Sequence, residues 1–371
     1  MSIKAQRGTS RIYLSPPWTG EPERAALRRA MDSGYVAPCG PMVDAFDKRL
    51  SDLSGQHAAA VASGTAALDL LMQEFNVGPG DNIIASSLTF VATVGPALHR
   101  GATPVFVDSD PATGLISIPL LRKALRNTRR VKCVIAVDLY GQCCDYDAIE
   151  ALCAEYGVTL IVDAAESVGA VYKGRPAGLS GAAALYSFNG NKIITTSGGG
   201  AVLSRNPEIV ERARWRAQQS REPVPWYEHH EVGFNYRMSN LLGAIGCAQL
   251  DRLPKILRRK RRIFEFYKSA FAARPKLGAK PFPCASPKDS SHWLSVFTFP
   301  TATMRDALAA RLSAANIESR PVWKPLHLQP VFRKCRVYGG DVAEDLFNRG
   351  LCLPSGAGLT PKDLARIEAC L

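Results

Sequence analysis

The chain has 371 residues, 46% of them apolar and 21% charged, and a formal net charge of +13. That length excludes a single small core and suits one large domain with a smaller one beside it. No run approaches the roughly 20 apolar residues of a membrane span. The basic opening MSIKAQRGTSRIYLSPP lacks the apolar centre of a secretory signal, so a cytoplasmic location is expected.

In chain order, residues 21–53 read as a helix, a Gly/Pro turn (YVAPCGP) and a second helix. AAAVA at 58–62 reads as a buried strand running into Ser-Gly-Thr, and ALDLLMQEF as a helix that Thr65 can cap. Strands and helices then alternate. DNIIASSLTF, TPVFVDSD, KCVIAVDLYG and TLIVDAA are strands; VATVGPALHRG, IPLLRKALRN and YDAIEALCAEYG are helices. The strands are short continuous β-branched runs, as expected when both faces of a sheet are covered. Alternation at this spacing means βαβ units and a largely parallel sheet. ALYSFN and GAVLS are further strands flanking a loop, and two helical stretches follow, NPEIVERARWRAQQ and MSNLLGAIGCAQLDRL.

A long basic helix leads into RPKLGAKPFPCASPKDS, a Pro- and Lys-rich connection. Beyond it HWLSVFTFP is a strand, TMRDALAARLSAAN a helix, ESRPV an edge strand and PKDLARIEACL a terminal helix. This predicts a large domain over 1–251 and a small α+β domain over 252–371. There is no internal repeat and no low-complexity tract.

Ten cysteines are scattered without a C-x-x-C pair or zinc spacing and read as small buried hydrophobes. His229 and His230 are adjacent in a polar loop, which is not a metal motif. Positive charge concentrates in RLPKILRRKRRIF at 252–264, which is either a solvated helix face or a contact for an anionic surface or phosphate.

Three segments carry chemistry. In VDAAES a buried strand ends in Asp163, where carboxylates of open α/β sheets face the ligand crevice; a helix cap or a structural ion pair is the competing reading. In YSFNGNKIITTSGGG, Lys192 sits in a glycine-flanked loop between two strands. It is either a solvated turn residue or a Schiff-base amine, which would need a depressed pKa. In ASGTAAL, Gly64 permits close backbone approach and Thr65 brings a hydroxyl to a helix N-terminus, a place for an anion. With TFVAT and GFNYRMSN they form one order along the chain, and their residue types are the parts that a pyridoxal 5′-phosphate site wants. Such a site needs a lysine, a carboxylate for the pyridine nitrogen, an aromatic on the ring face and donors for the phosphate.

From IYLSPP at 12–17 to the end, these spaced motifs resemble the DegT/DnrJ/StrS family of sugar-nucleotide aminotransferases. The resemblance implies the type I fold: a central, mostly parallel sheet in a large α/β domain, with a smaller C-terminal α+β domain. It implies pyridoxal 5′-phosphate held by Lys192, which also moves the proton. It places Asp163 on the pyridine nitrogen, Phe90 on the ring face, Gly64, Thr65 and Ser187 on the phosphate, and Glu166 near the ring oxygen and the sugar. Asn235 would reach the phosphate from the partner subunit, which makes a homodimer obligatory. Family members that dehydrate sugars carry histidine in place of the lysine, so Lys192 favours transamination.

DSGYVAPCGP (32–41) and RPVWKPLHLQP (320–330) resemble the segments that line the sugar nucleotide, which makes Tyr35, Trp323, His327 and Gln329 the substrate candidates. LPSG at 353–356 resembles a family signature to which no role is assigned. The wording of IYLSPP, the lysine loop and WKPLHLQP is most like enzymes that take L-glutamate and aminate C4 of UDP-4-keto-6-deoxy-N-acetylglucosamine, giving a bacillosamine-type precursor for surface glycans. GDP-perosamine formation and 3-keto sugar transamination are the alternatives. A basic mouth would steer the anionic substrate, with Arg237 or Arg221 as candidates. A regulatory, DNA-binding role and a binding-only role with a dead site are the other classes. The chain has no appended helix-turn-helix, and Asp163, Ser187 and Lys192 are all present.

Overall fold

Continuous apolar runs of this kind are stable only where helices cover both faces, and the computed structural model, which describes residues 10–371, shows that arrangement. The N-terminal half contains α1 (Glu21–Asp32), α2 (Pro41–Ser54), β1 (His57–Val61), α3 (Gly64–Glu74), β2 (Asn82–Ser86), α4 (Gly95–His99), β3 (Thr103–Val107), α5 (Ile118–Asn127), β4 (Val131–Val137), α6 (Tyr146–Tyr156) and β5 (Thr159–Asp163). A small hairpin, β6 (Val171–Tyr172) and β7 (Arg175–Pro176), precedes β8 (Ala183–Ser187), β9 (Gly200–Ser204) and α7 (Pro207–Ala217). Then come α8 (Asn240–Ala272), β10 (Lys280–Pro281), β11 (Ser295–Thr298), α9 (Ala302–Ala314), β12 (Arg320–Pro321), β13 (Val337–Tyr338), α10 (Asp341–Arg349), β14 (Gly350–Leu353) and α11 (Pro361–Glu368). The first nine residues, which open the segment read as lacking a signal, lie outside the described residues.

The main sheet runs β1-β9-β8-β5-β4-β2-β3-β13, and only β9 is antiparallel to its neighbours. Alternate strand residues feed two cores. Ile84, Val134 and Ala136 pack with Val43, Phe46, Ile149 and Leu250 on one face. Ile83, Cys133 and Ile135 pack with Leu68, Leu71, Ile209 and Ala213 on the other. The second sheet, β10-β11-β14-β12, packs its aromatic face with α8, α9 and α11 through Phe271, Phe297, Leu308, Leu312 and Ile367.

Several local expectations change. Ser63, not Thr65, caps α3, its hydroxyl accepting from the Ala66 N–H at 3.0 Å. The helix expected over VATVGPALHRG is a 3-10 turn at Val91–Thr93 and, after a break at Val94, the short α4 that Gly95-Pro96 opens. The two helical stretches read around residue 252 form one 33-residue helix, α8, with Pro254 on its exposed side. β13, α10 and β14 went unread. β13 is two residues long, yet it pairs with Phe106 and Val107 at the edge of the main sheet. A buried Asp108 accepts the N–H groups of Gly340, Val342 and Ala343 at 2.7–3.1 Å and so caps α10 from a distance. Of the cysteines, Cys133, Cys144, Cys153, Cys247 and Cys352 are buried and Cys39 is exposed.

A buried ion network fixes α2 against β1. Arg237, expected at the substrate mouth, is only 6% exposed. Its guanidinium is committed to Asp47 (2.7 and 3.3 Å) and to the Ala60 carbonyl (2.7 Å). Asp47 also accepts from the Ala60 N–H at 2.7 Å and pairs with Arg214 at 3.2 Å. Removing one partner strands a buried charge. We therefore expect Asp47→Ala to destabilise the fold by about 3 kcal/mol or more, read as a lowered urea midpoint with little change in slope.

Candidate active site

The parallel strands β1, β8, β5 and β4 end along one edge of the sheet, and the loops that leave them close a cavity of about 330 Å³. Gly64, Thr65, Phe90, Asp163, Glu166, Ser187 and Lys192 all line it, although up to 128 residues separate them in sequence.

Lys192 is carried by the reversal between β8 and antiparallel β9. That loop is tight because its neighbours leave no room. A Cβ at Gly199 would lie 2.2 Å from Thr196 Oγ1, and one at Gly200 would lie 2.5 Å from the Ser63 and Gly64 backbone. The Phe188 carbonyl accepts from Thr195 Oγ1 (3.1 Å) and from the Thr196 N–H (2.9 Å). The lysine Nζ lies 3.8 Å from Glu166 Oε1 and 4.2 Å from the centre of the Trp293 ring. It is therefore held in a cation–π and ion-pair setting rather than in a solvated turn.

Asp163 ends β5 and is 7% exposed. Thr93 Oγ1 donates to its Oδ2 at 2.8 Å and the Ala165 N–H to its Oδ1 at 3.1 Å, while Thr89 lies 2.9 Å from Thr93. Burial raises its pKa above the usual carboxylate value; the two donors and Lys192 oppose that rise. Glu166 is pushed up to about 7, again by burial, against the nearby Lys192 and the Tyr140 N–H that donates to Oε2 at 2.9 Å. The buried Trp323 Nε1 N–H faces the Glu166 carboxyl and favours its ionised form, without closing to hydrogen-bond distance.

These residues fit pyridoxal phosphate. A buried carboxylate with no cation in direct hydrogen-bond contact suits a protonated ring nitrogen. The start of the 11-residue helix α3, with the Thr65 and Ser187 hydroxyls beside it, suits a phosphate. Phe90 is half exposed at the cavity rim, its ring 5.3 Å from that of Trp323.

A second cavity of about 790 Å³ adjoins the first, sharing Asn191, Trp293 and Trp323 with it. Gln329 lines this outer cavity, as do the cations Arg320 and Lys324. Three expected residues line neither. Tyr35 exposes its ring, and its carbonyl accepts from Asn240 Nδ2 at 2.8 Å. His327 joins Ser87 (2.5 Å) to Glu344 (3.0 Å). Asn235 forms a β-bridge with Gln218.

Arg221 lies over the Tyr227 ring, outside both cavities. The basic run 252–264 divides its charges. Arg252 and Arg259 lie over Trp18, Lys260 is buried on the carbonyls of Trp293 and Ser355, and Arg258 and Arg262 are solvated. Burial brings Lys260 down to about 7.

Sequence reasoning gave no role to Trp293, Thr93, Asn191 or Tyr140. Thr93 stood inside a motif already singled out. Asn191 likewise precedes Lys192 in a quoted motif, whereas Trp293 and Tyr140 carry no spacing signal, because the fold alone brings them to the lysine.

Among the described residues, no helix is long and apolar enough to cross a membrane, and no cluster of His, Cys, Asp and Glu could hold a metal ion. Comparison with known proteins gives one consistent result. Residues 17–371 match the model of the DegT/DnrJ/EryC1/StrS aminotransferase family. The chain is 44% identical over 366 residues to EpsN of Bacillus subtilis (strain 168), named as a pyridoxal phosphate-dependent aminotransferase, covering 96% of this chain and 94% of that one. It is 36% identical over 366 residues to the GDP-perosamine synthase of Caulobacter vibrioides, covering 97% of each. The crystal structure of the aminotransferase TlmJ from Streptoalloteichus hindustanus superposes with a TM-score of 0.90 at 30% identity, covering 97% of this chain and 99% of that one. The chain belongs to the DegT/DnrJ/EryC1/StrS aminotransferase family and is a pyridoxal phosphate-dependent sugar aminotransferase of the type I fold.

Proposed function

We propose that the enzyme transfers the amino group of L-glutamate to C4 of a UDP-4-keto-6-deoxy-N-acetylhexosamine, giving a UDP-4-amino sugar for surface-glycan or glycoprotein synthesis. The observation that carries this reading is the Lys192 amine, held between the Glu166 carboxyl and the Trp293 ring, with a large outer cavity opening beside it. Bound pyridoxal phosphate supplies a carbonyl carbon for amine exchange and a ring that accepts an electron pair. Lys192 is the amine that holds it and afterwards the base that moves a proton. Asp163, with Thr93 and Ala165 fixing its two oxygens, keeps a proton on the ring nitrogen. Phe90 covers a ring face, and Gly64, Thr65 and Ser187 receive the phosphate.

Glu166, pushed up to about 7 by burial, exists in both its protonated and ionised forms near pH 7 and so offers or takes a proton beside the ring oxygen. Trp323 and Gln329 contact the sugar nucleotide, and Lys324 or Arg320 its diphosphate. Asn235, outside the chain's own cavity, acts on the phosphate from the partner subunit in a homodimer. Trp226, Tyr227 and Val232, exposed in the preceding loop, suit such an interface. The reaction is placed in the cytoplasm. A GDP-linked 4-keto sugar is the second reading, supported by the 36% identity to a GDP-perosamine synthase.

The test is a panel of UDP- and GDP-linked keto sugars with L-glutamate, the position of the new amine being read by NMR. We expect C4 amination of the UDP substrate with ping-pong kinetics; amination at C3, or of the GDP sugar alone, rejects the assignment. Lys192→Ala should stop turnover by at least about 1,000-fold while the protein still folds, and near-normal turnover would remove Lys192 from its role. Asp163→Asn should lower kcat by about 100-fold or more with a melting temperature within a few degrees of wild type; unfolding instead would make Asp163 a structural residue.

The raised Glu166 pKa also has a stability signature in cofactor-free protein. Between about pH 4.5 and 7 the unfolded chain has lost this proton and the folded chain has kept it, so stability falls as pH rises through that window. Glu166→Gln lacks this fall. Its stability relative to wild type should therefore increase by about 1–3 kcal/mol across the window and level off above it, measured by denaturant titration at several pH values.

A further inference from the structure

The turn after β4 holds a buried aromatic in a backbone conformation that aromatic residues avoid. Leu139 and Gln142 exchange two backbone hydrogen bonds, at 3.1 and 3.0 Å, and close a two-residue turn over Tyr140 and Gly141. Both central residues have positive φ, +52° and +104°. That is the pattern of a type I′ turn, usually filled by Asn-Gly or Gly-Gly. A tyrosine stays there only where its surroundings over-determine it, and such outliers gather at functional sites.

Three sets of contacts hold Tyr140. Its ring lies nearly parallel to those of Trp293 (6.3 Å, 18°) and Trp323 (6.5 Å, 11°) and meets Phe282 edge-on at 5.4 Å. Its hydroxyl accepts the backbone N–H of Trp323 at 2.9 Å and faces the Cys352 thiol. Its own N–H donates to Glu166 Oε2 at 2.9 Å, while the other Glu166 oxygen faces Lys192. Gly141 lets the turn press on the backbone that leads into β11, since a Cβ there would sit 2.6 Å from the His292 nitrogen. One residue therefore touches the acid beside the reactive amine and both indoles on the boundary between the inner and outer cavities.

We propose that Tyr140 is a positioning residue for the sugar half of the reaction, its left-handed N–H aiming the Glu166 carboxyl at Lys192 and its ring and hydroxyl seating Trp323 at the boundary of the two cavities. A sugar nucleotide pressed against Trp323 is then linked to Glu166 through two direct contacts. This rests on the function proposed above, in which Trp323 meets the sugar nucleotide and Glu166 works beside Lys192.

Three variants separate the parts. Tyr140→Phe keeps the ring and removes only the hydroxyl, which accepts the Trp323 N–H and faces the Cys352 thiol. Tyr140→Gly removes the ring but adopts positive φ freely, so the N–H can stay on Glu166. Tyr140→Ala removes the ring and also disfavours the left-handed backbone. Thermal melts check folding, and near-ultraviolet circular dichroism of the cofactor-free protein reads the aromatic stack independently of activity.

For Tyr140→Phe we expect KM for the sugar nucleotide to rise about fivefold, with the single-turnover rate toward L-glutamate unchanged. Tyr140→Gly should raise that KM further and lose aromatic dichroism, yet keep the wild-type pH profile of the glutamate half-reaction. Tyr140→Ala should displace that profile as well. Equal losses in both half-reactions for Tyr140→Phe, or a wild-type KM in Tyr140→Gly, would reduce Tyr140 to a structural residue. Identical pH profiles for the Gly and Ala variants would overturn the link to Glu166. If wild type converts no UDP-linked keto sugar, the substrate assignment fails on its own, and the same comparison is read with the keto sugar nucleotide that it does convert.

Discussion

Taking carboxylates out of water at the end of β5 sets the terms for the rest of the site. Asp163 and Glu166 lie three residues apart, and Asp138 lies behind them, fully buried. An ionised carboxylate in such a place costs several kcal/mol unless donors surround it. The donors are present: Thr93 and Ala165 on Asp163, Tyr140 on Glu166, and Tyr146 (2.5 Å), Ser167 (2.6 Å) and the Cys144 N–H (2.9 Å) on Asp138. Even so, burial raises all three pKa values, Asp138 and Glu166 to about 7. The floor of the cavity thus holds Asp163 and Glu166, both raised by burial, with Asp138 enclosed behind them. A cationic ring nitrogen and a lysine amine are the two groups such a floor would accommodate.

The topology explains why these groups converge. Parallel strands deliver their C-terminal ends to one edge, so β1, β5 and β8 present Ser63, Asp163 and Ser187 side by side. The antiparallel β9 returns the chain along that same edge, and the reversal it requires is the loop that carries Lys192. Gly200 is needed because the reversal passes within contact of the α3 N-terminus, and Gly199 because Thr196 and Met238 close on it. The second sheet completes the site: Trp293 precedes β11 and Trp323 follows β12.

Much of this was legible beforehand, for identifiable reasons. β-branched runs between amphipathic helices specify buried parallel strands, and the motifs at their ends identify one edge as the site. Seven expected cofactor contacts therefore share one cavity. What escaped notice depended on long-range contact. Arg237 reads as a cation near a motif, but its partner Asp47 is 190 residues away. His327 reads as a ligand, but Ser87 and Glu344 occupy both of its ring nitrogens. β13 is too short for any period, and α10 takes its cap from Asp108, 233 residues before the helix begins. Trp293 and Tyr140 stand in ordinary strand and turn sequence, and only the packing of one unit on the other gives them a purpose.

The return of β13 to the edge of the main sheet has a mechanical consequence. The chain leaves the first unit through α8, builds two strands of the second sheet, β10 and β11, then α9 and β12, goes back to contribute β13, and finishes the second sheet with β14. Ile12, from the other end of the chain, meanwhile bridges to Ile317. The main sheet thus takes a strand from inside the run of chain that builds the second sheet, so neither is a separable cassette. Loss of order in one withdraws structure from the other, and the lysine, the acids and the indoles are held together or lost together.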